Sequence, residues 1–315
     1  MTSLSCSGLG RKERRQIFWR RLWRDRFFAL MILPVVIYYI LFSYYPMYGV
    51  LIAFENYMPS KGITGSEWVG LANFRQFFGG IFFWRLLRNT LLISVYTLVF
   101  GFPVPIIFAL MLNEFRDGVF KRSIQTLSYL PHFISMVVIC GMIINFLSPS
   151  GGIFNALIKM CGGKPVNFLG KPQYFRTIYV VSGIWQEFGW GSIIYIAALS
   201  GVDPQLYEAA RIDGAGKFKQ MLYVTLPSIK NTMIVLLILN VGNMMSVGFE
   251  KIILLYNSAT YDTADVISSY VYRMGLQSLQ YSYSAAVGLF NSVINVILLV
   301  GSNAVAKRLS GNGIW

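Results

Sequence analysis

The 315-residue chain is 55% hydrophobic and only 13% charged, with a mean hydropathy of +0.55. This composition excludes an ordinary soluble domain, because such domains carry about 25% charged residues. The net charge of +14 could indicate a nucleic-acid-binding protein, but the basic residues concentrate beside apolar segments, which favours a role in membrane topology instead. No nucleic acid partner is therefore expected.

The first 26 residues are predicted to form a basic tail in front of the first apolar segment. Eight arginines and lysines lie between positions 11 and 26. Such a tail is typical of a cytoplasmic segment under the positive-inside rule, and it can also contact anionic membrane lipid. No small-residue cleavage site follows the first apolar segment, so we expect an uncleaved membrane span rather than a signal peptide.

Six apolar segments follow, each about as long as a helix that crosses a hydrocarbon core of roughly 30 Å. The segments predicted to be inside carry 17 of the 27 basic residues, which places both termini in the cytoplasm. We therefore predict an all-α membrane protein with a transmembrane domain over 27–306 and a short cytoplasmic C-terminus over 307–315. The predicted spans are 27–47, 89–112, 123–147, 177–200, 229–256 and 284–306.

Prolines interrupt two of these segments, Pro103 and Pro105 in the second and Pro131 in the third. They predict a kink or local unwinding, although ordinary packing is the alternative, since proline is common in membrane helices. The stretches predicted to face outward are rich in turn-forming residues and aromatics, which indicates short surface helices and turns. These stretches are 48–88, 148–176 and 257–283.

The predicted inner loop over 201–228 has the local chemistry of a helical hairpin. Asp203 is a good N-cap, and Pro204 suits the first helical position, where its missing N–H costs little. Gly214 lets the backbone turn, and we expect Pro227 to end or kink the second helix. The turn is predicted to expose small residues flanked by charges, so another protein could approach its backbone closely.

The same loop has an Ala-rich motif at fixed distances from a glycine and a Leu-Pro pair. Glu208-Ala209-Ala210 is followed after three residues by Gly214, after nine more by Val224, and then by Leu226-Pro227. This spacing resembles the signature of ABC importer permeases, with valine in place of isoleucine. The resemblance implies the type I ABC importer permease fold, in which a cytoplasmic coupling-helix hairpin fits a cleft on a separate ATPase. It assigns that contact to Glu208, Ala209, Ala210, Arg211, Asp213, Gly214, Ala215, Leu226 and Pro227.

Further stretches, beginning at Tyr129, Asn145, Asn167, Gly248 and Asp265, resemble the carbohydrate, maltose-type class of these permeases. Within that class they look like the lipoprotein-B-type permeases for complex oligosaccharides. The resemblance implies oligosaccharide import across the plasma membrane with a second permease subunit, two ATPase subunits and an extracytoplasmic solute-binding protein. ATP and Mg²⁺ would bind the ATPase subunits, because this chain contains no GxxxxGK[ST] phosphate-binding loop.

No catalytic or metal-binding constellation is apparent, so we expect a transport subunit and no enzyme. Cys6, Cys140 and Cys161 fall in separate segments, and His132 is the single histidine, which we expect to be a packing residue. An ion-coupled secondary transporter is the alternative function, since it would also be apolar and helical. That class predicts acidic or histidine relays at paired positions of two repeats, and none stands out.

Polar and aromatic residues in the predicted fourth and fifth spans are candidates for a substrate path. Sugars present hydroxyl groups and flat C–H faces, which suit amide or carboxylate hydrogen-bonding groups and aromatic platforms. A carboxylate at membrane depth is costly unless it faces a cavity or a partner, and for Glu250 a structural role is the other interpretation. The candidates are Trp185, Gln186, Glu187, Trp190, Asn240, Asn243 and Glu250.

Overall fold

The computed structural model describes residues 26–310, and this region is almost entirely helical. Its β structure is one antiparallel pair of two-residue strands, β1 (Glu55–Asn56) and β2 (Glu67–Trp68). The all-α prediction is thereby confirmed. Except for Arg26, the predicted basic tail lies outside the described residues, as do positions 311–315 of the predicted C-terminus.

Long helices form the body of the protein, and short helices occupy the connections between them. The main helices are α1 (Arg26–Phe54), α2 (Phe83–Glu114), α3 (Val119–Phe133), α4 (Met136–Leu147), α5 (Pro172–Ser200), α6 (Pro204–Ile212), α7 (Lys217–Gly242), α8 (Phe249–Leu255) and α9 (Tyr281–Ser310). The expected short helices in the connections are present at Gly62–Gly65, Ala72–Phe78, Ile153–Met160, Tyr261–Ala264 and Ile267–Tyr272. A π-helical turn, with i→i+5 hydrogen bonds, follows at Arg273–Gln277.

Helices lie at all six predicted span positions, but they differ in character. Among the described residues, α1, α2, α7 and α9 are long and apolar enough to cross a membrane. The pair α3 and α4 adds a fifth span if the two helices, bent by 99°, cross together. Helix α5 has 29 residues, enough for about 40 Å, but it carries polar side chains along its length.

The helix at the fifth predicted span differs from the predicted range of 229–256 at both ends. Helix α7 starts at Lys217 and stops at Gly242, after which the chain turns and forms the separate short helix α8. Asn295 of α9 stabilises this break, because its Oδ1 accepts a hydrogen bond of 2.9 Å from the backbone N–H of Met245. Glu250 consequently lies on α8 and not on α7, the long helix at the fifth predicted span.

Prolines cause local widening of the helices more often than they end them. Three prolines lie in the helical turn that directly follows a π-helical turn. These are Pro46 after Ile40–Tyr44, Pro103 after Thr97–Gly101 and Pro227 after Met221–Thr225. An i→i+5 turn moves the preceding carbonyls away from the proline ring, so the helix can continue. Of the two alternatives expected for Pro227, the structure excludes an end of the helix and leaves the local distortion. Pro131 instead occupies the 3₁₀ turn Leu130–Phe133 at the bend between α3 and α4.

Within residues 26–310, buried side chains form three clusters between the helices. One joins α2, α5 and α8 around Ile93, Phe175 and Ile252, and a second joins the end of α2 to α5 and α7 around Ala109 and Ile229. The third packs Phe77, Leu86, Met245, Ile267 and Val287 between α2, α9 and the short connecting helices. These clusters fix the positions of α2, α5 and α7, which carry the candidate site.

An ion cluster fastens the connection between α8 and α9 to α2. The fully buried carboxylate of Asp265 lies 2.7 Å from Nη2 of Arg273 and 3.5 Å from Nη2 of Arg85. It also accepts a hydrogen bond of 2.9 Å from the hydroxyl of Ser269. Several donors thus compensate the desolvation of this carboxylate.

Candidate functional site

The predicted helical hairpin is present, with the caps that its sequence indicates. The Asp203 side chain accepts a hydrogen bond of 2.9 Å from the backbone N–H of Gln205, and Pro204 opens α6. The turn depends on Gly214, whose φ is +75°. The N–H of Ala215 reaches back to the carbonyl of Ala210 at 2.8 Å and closes the helix C-terminus.

Two hydrogen bonds hold the hairpin together, and one ion pair attaches it to the helical body. The hydroxyl groups of Tyr207 and Thr225 are 3.0 Å apart, and Thr225 is buried. Nε2 of Gln220 donates to the carbonyl of Ala215 at 2.7 Å, which ties the turn to the second helix. Nζ of Lys217 lies 2.9 Å from the carboxylate of Glu114 at the end of α2. Helix α6 is therefore fixed to the start of α7, and the hairpin is attached to α2.

The structure divides the residues assigned to the coupling surface into two groups. Leu226, Ala210 and Ala215 are half-buried, and Leu226 packs against the cluster around Ala109 and Ile229, so it anchors the hairpin. The other assigned residues are exposed: Glu208, Ala209, Arg211, Asp213, Gly214 and Pro227.

Sequence reasoning missed a set of large apolar side chains on the hairpin. Ile212 is 86% exposed, Tyr223 is 73% exposed and Phe218 is 72% exposed. The sequence contained a signal for this surface, because large apolar residues occur in a polar loop at spacings that do not place them together on one buried face of a helix. Together with the exposed small residues, they give the hairpin an apolar surface rimmed by charges, as protein interfaces have.

A cavity of about 530 Å³ lies between α2, α5, α7 and α8. Four of the seven residues predicted for a substrate path line it, namely Gln186 and Glu187 from α5 with Asn240 and Asn243 from the end of α7. Its volume falls within the range of about 300–1,000 Å³ that is typical of small-molecule sites.

The other three predicted path residues do not line this cavity. Trp185 and Trp190 are partly exposed, and Glu250 is exposed on α8. The indole of Trp190 instead stacks on His132, with ring centroids 4.5 Å apart and planes 3° apart. Trp190 therefore packs beside the cavity residue Glu187 without forming part of the wall.

His132 has an acidic partner that spacing along one helix could not show. Its Nδ1 lies 3.0 Å from Oε2 of Glu187, which comes from α5, 55 positions later in the chain. The expected packing role of His132 agrees with its stacking on Trp190. The contact with Glu187 adds a function, because it fixes one carboxylate oxygen of a cavity residue.

Lys251 also lines the cavity, although sequence reasoning did not include it in the path. The side chain is only 4% exposed, and its Nζ donates to the backbone carbonyl of Tyr179 at 3.0 Å. The same ammonium lies 4.9 Å from the centroid of the Tyr179 ring. Gly183 leaves room for it, since a Cβ there would lie 3.3 Å from Nζ. The sequence signal that could have identified Lys251 as a cavity residue is its place beside the aliphatic run that follows it.

Within residues 26–310, no group of three or more His, Cys, Asp or Glu side chains is placed to hold a metal ion. The cavity wall combines amides, one carboxylate, one ammonium and aromatic or aliphatic surface. Such a wall can bind a polar organic molecule through hydrogen bonds.

Comparison with known proteins agrees with this geometry. A family model described as "Binding-protein-dependent transport system inner membrane component" matches residues 101–311. The polygalacturonan/rhamnogalacturonan transport system permease protein YteP of Bacillus subtilis is 46% identical over 97% of this chain and 95% of its own length. Protein LplB of the same organism is 46% identical over 93% of this chain and 92% of its own length.

A solved structure has the same fold over nearly the whole chain. It is a chain from the crystal structure of a bacterial alginate ABC transporter in complex with an alginate pentasaccharide-bound periplasmic protein. The match has a TM-score of 0.86 and 41% identity, and covers 94% of this chain and 99% of that chain. The type I permease fold expected from the loop motif is thus confirmed, and the chain belongs to the family of binding-protein-dependent transport system inner membrane components.

Proposed function

We propose that the chain is the permease subunit of an ABC importer that carries oligosaccharides released from polysaccharides across the plasma membrane. The observation that carries the proposal is the full-length similarity to YteP, at 46% identity, together with the fold shared with the alginate transporter chain. The cavity between α2, α5, α7 and α8 combines hydrogen-bonding side chains with apolar surface, as a sugar substrate needs. The comparisons give no support for an ion-coupled secondary transporter.

The hairpin α6–α7 is the proposed docking element for a separate ATPase subunit. Its exposed apolar side chains, Ile212, Phe218 and Tyr223, would fill a cleft on the ATPase, and Gly214 would allow close backbone approach. ATP and Mg²⁺ would be bound by two ATPase subunits, and we expect this chain to bind no cofactor of its own. The hydrogen bond between Tyr207 and Thr225 would transmit the motion of the docked hairpin to α7.

The proposed orientation places both termini and the hairpin in the cytoplasm. The last turn of α9 carries Lys307 and Arg308, and the hairpin carries Arg211, Lys217 and Lys219, as the positive-inside rule requires. A solute-binding protein would then contact the opposite face, and a second permease subunit would complete the pathway. The alginate transporter structure contains a periplasmic protein bound to its oligosaccharide, which supports this assembly.

Uptake by proteoliposomes tests the transport function. The chain is reconstituted with its second permease, its ATPase and its solute-binding protein, and uptake of oligogalacturonides is followed with ATP inside or outside the vesicles. We expect uptake only when ATP and the ATPase lie on the hairpin side. Uptake driven by a proton or sodium gradient without ATP would overturn the proposal in favour of the secondary transporter.

A pair of matched substitutions tests the docking surface. Ile212→Asp places a charge in the proposed interface and should weaken ATPase binding by at least about tenfold. Ile81→Asp is the control, since Ile81 is 87% exposed but lies before α2, at the opposite end of that helix from Glu114 and the hairpin. Retention of the ATPase during purification is the measurement. Equal retention in the two variants would contradict the docking role.

A further inference from the structure

Lys251 is a buried cation that forms no salt bridge in the part of the chain that the structure describes, although the carboxylate of Glu187 on the same cavity wall acts on it at longer range. Its ammonium contacts a backbone carbonyl and an aromatic ring, both of Tyr179, and no carboxylate lies within 4.0 Å of it among residues 26–310. Removing an ammonium from water costs several kcal/mol, which a single carbonyl and a ring repay only in part. A methionine would fill the same space at lower cost, so structure alone does not account for the lysine.

The geometry leaves the Lys251 ammonium able to bind a ligand. An ammonium has three N–H donors, and the Tyr179 carbonyl accepts one of them. Lys251 lines the cavity, and Gly183 on the opposing α5 leaves the space that Nζ occupies. The other N–H groups can therefore reach a molecule in the cavity.

The remaining polar groups of the cavity suit a sugar that carries an acid. Nδ2 of Asn240 and Nδ2 of Asn243 donate to carbonyls of their own helix, which leaves their Oδ1 atoms to accept bonds from hydroxyl groups. The carboxylate of Glu187 already has a hydrogen-bond partner in His132. Lys251 is thus the cavity cation that an incoming carboxylate would meet.

We propose that Lys251 binds a carboxylate of the transported oligosaccharide, so that the permease itself selects uronate-containing sugars. The inference rests on the proposed function, because it assigns a substrate class to the same cavity. A charge-assisted hydrogen bond from the ammonium to the carboxylate would supply the selectivity. The amides of Asn240 and Asn243 would bind hydroxyl groups common to acidic and neutral sugars.

The test compares an acidic sugar with its neutral form in the reconstituted complex. The substrates are trigalacturonate and its methyl ester, each presented on saturated solute-binding protein, so that the selectivity of that protein cancels when a variant is compared with the wild type. The variants are Lys251→Met, which removes the charge, Lys251→Arg, which keeps it, and Lys307→Met, which removes an exposed cation outside the cavity. Substrate-stimulated ATP hydrolysis and uptake are measured for both sugars.

We expect Lys251→Met to lower stimulation and uptake by trigalacturonate about tenfold and those by the ester less than about threefold. Lys251→Arg should keep the preference for the acid, and Lys307→Met should behave as the wild type. An equal loss for both sugars in Lys251→Met would overturn the inference and show that the lysine is structural. An unchanged response to the acid would overturn it as well.

If substitution of Lys251 prevents assembly of the complex, a second variant tests whether Lys251 binds the substrate carboxylate. Gly183→Ala adds a Cβ 3.3 Å from the present Nζ position and shifts the ammonium while its charge remains. We expect a selective loss of the acid response, and an equal loss for both sugars or an unchanged response to the acid would contradict the inference. Absence of ATP-dependent uptake in the wild type would instead refute the proposed function, so the two failures are distinguishable.

Discussion

Replacing Gly214 by alanine isolates the contribution of the hairpin turn to ATPase docking. Gly214 has a φ of +75°, and no atom lies within 4 Å of the position that a Cβ would take. The substitution is therefore free of steric clashes within the chain, and its cost comes from the backbone alone. An L-residue in this left-handed conformation costs about 1–2 kcal/mol.

That cost shifts the equilibrium between the observed turn and other turn conformations by a factor of about 5–30. If docking requires the observed turn, the concentration of ATPase subunit needed for half-maximal assembly should rise by up to the same factor, reached when the observed turn becomes the minor conformation. Titration of ATPase subunit against the reconstituted permease, read out by substrate-stimulated ATP hydrolysis, measures this shift. Membrane insertion should be unchanged, because the turn is exposed.

Gly216 supplies the matched control for this experiment. It also has no neighbour within 4 Å of a Cβ, but its φ of −68° suits any residue, so Gly216→Ala adds no backbone strain. Equal titration curves for Gly214→Ala and Gly216→Ala would refute the reasoning. Gly214→Asn separates strain from bulk, because asparagine tolerates the left-handed conformation. If Gly214→Asn is as weak as Gly214→Ala, close approach of the partner is the limiting factor.

Two further predictions concern the helical body. Asp265→Asn should destabilise the complex by about 1.5–3 kcal/mol, because it leaves two partly buried arginines without their carboxylate. Asp262→Asn at an exposed site should be neutral, and thermal unfolding in detergent compares the two variants. Gly189→Ala should cost about 1–3 kcal/mol, since its Cβ would lie 2.1 Å from the carbonyl oxygen of Ser128. Gly191→Ala is its control, with ordinary contacts near 3.4 Å to Pro105, and equal unfolding temperatures within either pair would contradict the packing described.

The features predicted correctly from the sequence are those that local chemistry determines. Asp203, Pro204 and Gly214 act within a few residues of themselves, so their caps and turn could be read before any tertiary contact was known. The same holds for Gln186 and Glu187, which were predicted as path residues because they are polar side chains in an apolar segment. Both of them line the cavity.

The features missed depend on residues far apart in the chain. The fifth span was predicted to run through Gly242, because hydropathy does not register the hydrogen bond from Met245 to Asn295, 50 positions away. The pairing of His132 with Glu187 is equally non-local. Lys251 was not among the predicted path residues, because its hydrogen bond to the Tyr179 carbonyl joins two helices that are distant in the sequence.

The same two helices that hold the hairpin also form the cavity wall, which gives a physical route between the two sites. Helix α7 runs without interruption for 26 residues, about 39 Å, from Lys217 in the hairpin to the cavity residue Asn240 and its end at Gly242. The ion pair of Lys217 with Glu114 joins the hairpin to α2, whose segment around Ser94 lines the same cavity. A force on the hairpin therefore acts on two walls at once. The π-helical turn Met221–Thr225 lies on α7 between the tip of the hairpin and the cavity wall, so any bending of α7 should concentrate there. The stiffness of this turn should therefore determine how much of the hairpin's motion reaches the substrate.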